Sequence, residues 1–94
     1  MNKKEREWIR KILQYGCIAC RKDGRGYEPA VVHHLIKGGK RMGHLYTIPL
    51  CPAHHIGEPL GKISRHKSHK LFNLVYGGEM KLYEELKKLL LEQQ

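Results

Sequence analysis

All three cysteines and six of the seven histidines of this 94-residue chain fall in one ordered pattern: Cys17-x-x-Cys20, His33-His34, His44, Cys51-x-x-His54-His55 and His66. A chain of that length builds one domain around one small core, so a metal cross-link between distant segments constrains it more than any apolar run does. A Cys-x-x-Cys turn offers two thiolates to adjacent corners of a tetrahedron, and Cys51-x-x-His54 offers the other two. Alone, Cys17-x-x-Cys20 reads equally as a redox pair or two buried thiols; the second knuckle, about 30 residues on, favours structural zinc. The remaining histidines supply nitrogen for a second site that need not be closed. A structural zinc beside a catalytic metal is the first expectation.

Three cysteines cannot pair into disulfides without a remainder, and no apolar run has the length of a signal peptide or membrane span. The expectation is a reducing cytoplasm, thiols held on metal, and no membrane partner. Net charge of +9, with a pI near 9.7, points to a polyanion, because neutralising phosphates with Lys and Arg releases counterions. The distribution is more specific. Between Pro29 and Gly78 the only acidic residue is Glu58, against Lys37, Lys40, Arg41, Lys62, Arg65, Lys67 and Lys70. A solubility bias would scatter these over the whole chain. Clustered around the histidines, they favour nucleic acid, with Lys37, Lys40, Arg41, Lys62, Arg65 and Lys67 as the DNA contacts.

Along the chain the order reads helix, knuckle, two strands, knuckle, helix, helix. Asn2 with Glu5 forms a capping box for a first helix, whose stripe Trp8, Ile9, Ile12 and Leu13 ends at Gly16; Trp8 reads as core. Arg21 to Glu28 reads as a basic loop, and Ala30 to Ile36 as a strand. Lys37-Gly38-Gly39-Lys40 is a turn. Tyr46 to Leu50 is a second strand, put at an edge or a strand end by Pro49. A helical turn after Pro52 carries His54 and His55 and is broken by Gly57, Pro59 and Gly61. Ser64 can cap a helix running to Tyr76, with Leu71, Leu74 and Val75 inward and Gly77-Gly78 as its stop. Glu79 to about Glu92 forms the last helix, with Leu82, Leu86, Leu89 and Leu90 on one face.

Cys-x-x-Cys, a strand with His33-His34, a basic Gly-Gly turn, His44, and a strand ending in Leu50-Cys51-x-x-His54-His55 together resemble the HNH endonucleases. More closely, Gly16-Cys17-Ile18-Ala19-Cys20-Arg21-Lys22, His33-His34, Gly43-His44, Leu50-Cys51-x-x-His54-His55, His66, Phe72 and Tyr76-Gly77 are similar to the phage recombination-enhancement (Ref) nucleases. The likeness spans roughly residues 16–78. It implies a small zinc-stabilised α+β fold of the ββα-metal type with flanking helices. The single domain, 1–94, would comprise an N-terminal helix (1–15), the knuckles and metal core (16–78) and a C-terminal helix (79–94). It also implies a phage or prophage origin and work in a bacterial host cytoplasm.

Residue by residue, the resemblance puts the first catalytic histidine at His34 and the middle Asn or His at His44. The final metal-binding histidine falls at His55, and His33 stands where many members have a metal-binding Asp. Successive strand residues point to opposite faces, so His33 and His34 reach one point only if the strand ends or bends there; the Gly-Gly turn allows that. An unligated, neutral His34 can take a proton from water near pH 7, and His44 would orient His34 or its loop. Each has a plainer rival. His44 can be a surface loop histidine. His54 and His55 can exchange roles, although His54 completes the zinc spacing. His66 reads equally as a metal ligand, a phosphate contact or a helix N-terminal residue, and His69 as a solvated histidine. Tyr27 and Tyr46 can stack on bases but suit packing better.

Two departures from the family pattern bear on partners and metal. Ref-like proteins carry a long basic N-terminal extension associated with the RecA filament; here only residues 1–15 precede the first knuckle segment, which weighs against a recombinase partner. His33 in place of Asp makes the site nitrogen-rich, which favours borderline metals over hard Mg²⁺ and leaves Zn²⁺, Mn²⁺, Ni²⁺ and Mg²⁺ all open. The expected function is metal-dependent endonuclease cleavage of DNA to 5′-phosphate and 3′-hydroxyl ends. A non-catalytic zinc-ribbon module binding DNA or a protein partner is the alternative; it has no use for gathering His33, His34 and His55. Charge alone also allows an RNA-binding protein.

Overall fold

The computed structural model describes residues 1–57, 63–66 and 69–92. Helix α1, Lys3–Tyr15, starts at the expected capping box: the Asn2 side chain accepts from the Glu5 amide at 2.8 Å and Glu5 accepts from the Asn2 amide at 2.9 Å. It ends at Gly16, whose φ of 85° is left-handed and where a Cβ would stand 2.7 Å from the Glu28 carbonyl oxygen. Only glycine fits there without strain. Half-buried Trp8 ties the helix to the sheet by donating its indole N–H to Thr47 Oγ1 at 3.0 Å.

The first knuckle closes as a short helix, α2, Ile18–Lys22, where the sequence reading had loop from Arg21 onward. Cys17 caps it, with its sulfur accepting from the Cys20 amide at 3.4 Å. Strand β1, Val31–His34, pairs antiparallel with β4, Thr47–Leu50, placing Val31 opposite Leu50 and His34 opposite Thr47. The expected strand through Ile36 is interrupted. Leu35 turns into the core and donates its amide to the Tyr46 carbonyl at 2.9 Å, and the chain then forms a separate ribbon of β2, Ile36–Lys37, and β3, Lys40–Arg41. Gly38 and Gly39, with φ of 61° and 78°, make its two-residue turn, in which both positions must be left-handed. Pro49 is tolerated because each strand of a two-stranded sheet is an edge.

After β4 comes a wide, π-type turn, Ala53–Gly57, then α3, His69–Tyr76, and α4, Glu79–Glu92. Three expectations need correction. Ser64 does not cap a helix: it is buried, and α3 begins at His69. Leu71, Leu74 and Val75 do not point inward; they are 48%, 81% and 49% exposed, while Phe72 and Tyr76 are buried. Two stripes at helical spacing compete for one core, and the pair of larger rings, tilted 52° to each other with centroids 4.7 Å apart, wins. On α4, Leu82, Leu86 and Leu90 are buried one turn apart, but Leu89 lies off that line and is exposed. The core also takes Ile12, Ile48 and Leu50, each fully enclosed and each contributing roughly 1.5–3 kcal/mol of apolar burial. No described helix is long and apolar enough to cross a membrane.

Candidate metal centres

Cys17, Cys20, Cys51 and His54 converge, all buried, with one potential ligand atom from each lying within 4.8 Å of the others. The α2 knuckle supplies the first two, the end of β4 the third and the π-type turn the fourth. The sulfurs of Cys20 and Cys51 stand 3.7 Å apart, as thiols and not as a disulfide. Burial pushes the Cys17 thiol up to about 12, a cost that a bound cation removes by taking the thiolate directly. His54 Nδ1 donates to the Ile63 carbonyl at 3.0 Å, which leaves the lone pair on Nε2. That Nε2 is buried without a hydrogen bond, 3.2 Å from Asp23 Oδ2, and Asp23 is held in turn by the Tyr76 hydroxyl, which donates to Oδ1 at 2.7 Å. Soft thiolates, an imidazole lone pair and full enclosure suit a metal such as zinc.

His33, His55 and His66 form a second cluster of the same compactness but graded burial: His33 buried, His55 half-buried, His66 exposed. Chain return builds it. Arg65 donates its amide to the His54 carbonyl at 2.6 Å and His66 to the His55 carbonyl at 3.1 Å, so residues 65–66 lie alongside 54–55 and bring His66 Nε2 to 3.2 Å from His55 Nε2. His66, ambiguous in the sequence, thus joins this cluster. The two adjacent histidines of the π-type turn go to different sites, His54 to the thiolates and His55 here. Burial, then His33, His66 and Arg65, lower the His55 pKa to about 4; burial, then His33 and Arg65, also lower that of His66 despite Glu79. Both imidazoles are therefore neutral at pH 7, with lone pairs to share. His55 Nδ1 is buried without a hydrogen bond, as a nitrogen suited to a cation would be.

His34 opens on the same cleft, a hollow of about 130 Å³ lined by Val32, His33, His34, Ile36, Arg41, His55 and His66. It does so because β1 ends at His34 and the ribbon turns away. His34 Nε2 stands 3.1 Å from Nδ1 of exposed His44. Burial, then Arg41, His44 and His33, lower the His34 pKa below its ordinary 6.5.

Of the expected DNA contacts, Lys37, Lys40 and Arg41 are exposed on the ribbon beside this cleft. Lys62 and Lys67, like Pro59 and Gly61, lie outside the described residues. Arg65 departs from its expected role: its side chain is 14% exposed and its guanidinium grips Glu79, Nε donating to Oε1 at 2.6 Å with a second contact from Nη2. Glu79 is the residue that sequence reasoning missed. Assigned to the acidic tail, it instead projects from the start of α4 to within 3.5 Å of His33 Nε2. Tyr27 and Tyr46 are 56% and 40% exposed, more open than packing residues would be, although Tyr46 meets Tyr83 with ring centroids 5.5 Å apart.

A family model described as recombination enhancement, RecA-dependent nuclease, matches residues 2–91. No curated protein and no solved structure matches the chain.

Proposed function

The chain belongs to the recombination-enhancement, RecA-dependent nuclease family, and we propose that it is a metal-dependent endodeoxyribonuclease of the HNH type. Its ββα-metal unit would be β1, β4 and the Ala53–Gly57 turn. The observation that carries this reading is the convergence of His33, His55 and His66 on the cleft into which His34 opens, beside an exposed basic ribbon. A zinc-ribbon binding module has no need of such a gathering.

His33, His55 and His66 would hold the catalytic divalent metal, and Cys17, Cys20, Cys51 and His54 the structural zinc. A divalent metal held by these histidines would supply Lewis-acid stabilisation of the charge that develops on the phosphate and the departing 3′ oxygen. His34 is the general base. With the shared proton on His34 Nε2 and His44 Nδ1 accepting it, His34 Nδ1 would keep its lone pair for the attacking water. After proton transfer both His34 nitrogens carry hydrogen, and His44 remains the acceptor for Nε2. Lys37, Lys40 and Arg41 would bind flanking phosphates and hold the scissile bond in line with that water. The family's description names RecA dependence, so a recombinase filament stands among the expected partners.

A plasmid-nicking assay with a panel of divalent metals, run beside His34→Ala, tests this. Single-stranded, duplex and supercoiled DNA are each offered with and without a RecA-type filament. The expected result is metal-dependent cleavage by the parent and little by the variant. A pure, zinc-loaded parent that cuts none of these substrates with any metal would overturn the reading.

A further inference from the structure

We propose that Glu79 is a positioning residue for the histidine metal site, acting through His33 and locked in place by Arg65 and the Ile36 amide. The inference rests on the nuclease reading only in calling that site catalytic. Gly77 and Gly78, both left-handed with φ of 85° and 94°, turn the chain sharply between α3 and α4, and Glu79 is the first residue after them. A carboxylate there is favoured by the helix's own amide dipoles. It is also fully engaged: Oε2 accepts from the Ile36 N–H at 2.9 Å and Oε1 accepts from Arg65 at 2.6 Å.

Oε1 also stands 3.5 Å from His33 Nε2, with Glu79, Arg65 and His33 side chains 12%, 14% and 3% exposed. His33 Nε2 makes no hydrogen bond and faces the Glu79 carboxylate, which would leave Nδ1 as the nitrogen for the metal. Glu79 lies outside the convergent set of His33, His55 and His66, and its oxygens are already taken up, so it is not itself a ligand. What remains is an outer carboxylate that orients the ring of a ligating histidine and raises its basicity. Arg65 makes the arrangement affordable, since a carboxylate this enclosed needs a cation beside it. His66 follows Arg65 directly in the chain, so one short segment brings both a ligand and the clamp on the positioning carboxylate.

The test uses zinc-loaded protein titrated with Co²⁺, whose visible bands distinguish nitrogen ligation at the histidine site from thiolate ligation at the buried one. Glu79→Gln should bind cobalt at the histidine site about 10- to 100-fold more weakly, the usual cost of losing such an outer partner. Its zinc content should stay near the parent's and its melting transition should remain cooperative, at a lower midpoint because Arg65 loses its partner, and cleavage should return as metal is raised. Glu79→Asp, which keeps the charge, should fall between the two. Parental cobalt affinity in Glu79→Gln overturns the proposal. So does a variant that loses zinc and cobalt together with its melting transition, because the carboxylate would then serve the fold at large. If cobalt binding weakens as expected while even the parent cuts no DNA, the positioning role stands and the nuclease reading falls.

Discussion

The thiolate cluster and the histidine cluster are assembled from neighbouring residues, yet they differ in enclosure and so in what each can do. Cys17, Cys20, Cys51 and His54 are all buried, whereas His33, His55 and His66 grade from buried to exposed around an open cleft. A tetrahedral site with four protein donors has no position for substrate and serves the fold; one with three donors and an open side can present a metal to phosphate. Each cluster has a carboxylate beside one of its histidines, Asp23 3.2 Å from His54 Nε2 and Glu79 3.5 Å from His33 Nε2. Asp23 is steadied by a neutral hydroxyl, Glu79 by a guanidinium and a backbone amide.

The comparison is broken most severely by attacking the enclosed site. Structural zinc is worth about 10–16 kcal/mol in small zinc peptides, comparable with or above the roughly 5–15 kcal/mol stability of a whole domain. Chelation or Cys17→Ala is therefore expected to abolish the cooperative melt, measured by circular dichroism with zinc analysis. A Cys17→Ala protein melting like its parent would remove the structural role.

His34→Ala is next. General-base catalysis contributes about 10²- to 10⁴-fold, and a half-exposed strand-end histidine adds little to the core. Cleavage should fall by that factor with zinc content, melting and DNA affinity near parental, and raising the metal should not restore it. His55→Ala and His66→Ala sharpen the contrast: their losses, at least about the tenfold typical of an outer partner, should recover in part at high metal. Equal recovery in all three variants would erase the distinction between base and ligands.

On the ribbon, Lys37→Ala or Lys40→Ala should weaken DNA binding evenly across sequences and lower the log-log salt slope by about one, since each neutralised duplex phosphate contributes about −0.9. Affinity indifferent to salt points instead to a protein partner. The smallest effect concerns pH. His34 must be unprotonated to act, and its pKa is lowered mainly by burial, so the acidic limb of kcat/KM should have its midpoint below 6.5 and cleavage should be level by neutral pH. An acidic limb centred above 6.5 would assign the titration to another group.

The grouping of Cys17, Cys20, Cys51 and His54 was legible in the sequence because knuckle spacing is short-range chemistry, and α1 because its capping box is complete within four residues. What could not be read needed distant geometry. Periodicity marks two stripes on α3 but not which of them meets the core, so Leu71, Leu74 and Val75 were assigned inward in place of Phe72 and Tyr76. His66 joins His33 and His55 only because residues 65–66 lie along 54–55. Glu79 carries no local signal at all; among the acidic residues near the C-terminus, only the sharp turn at Gly77-Gly78 sets it apart.

The Ala53–Gly57 turn, with one histidine committed to each cluster, makes the two sites mechanically dependent on each other. Withdrawing His54 from the thiolates would also be expected to shift His55, with the Ile63, Arg65 and His66 bonds carrying the disturbance along the returning segment. If the enclosed cluster takes zinc as proposed, that ion would be expected to settle before the open cleft has its shape. On the nuclease reading, a chain short of zinc would then leave DNA uncut.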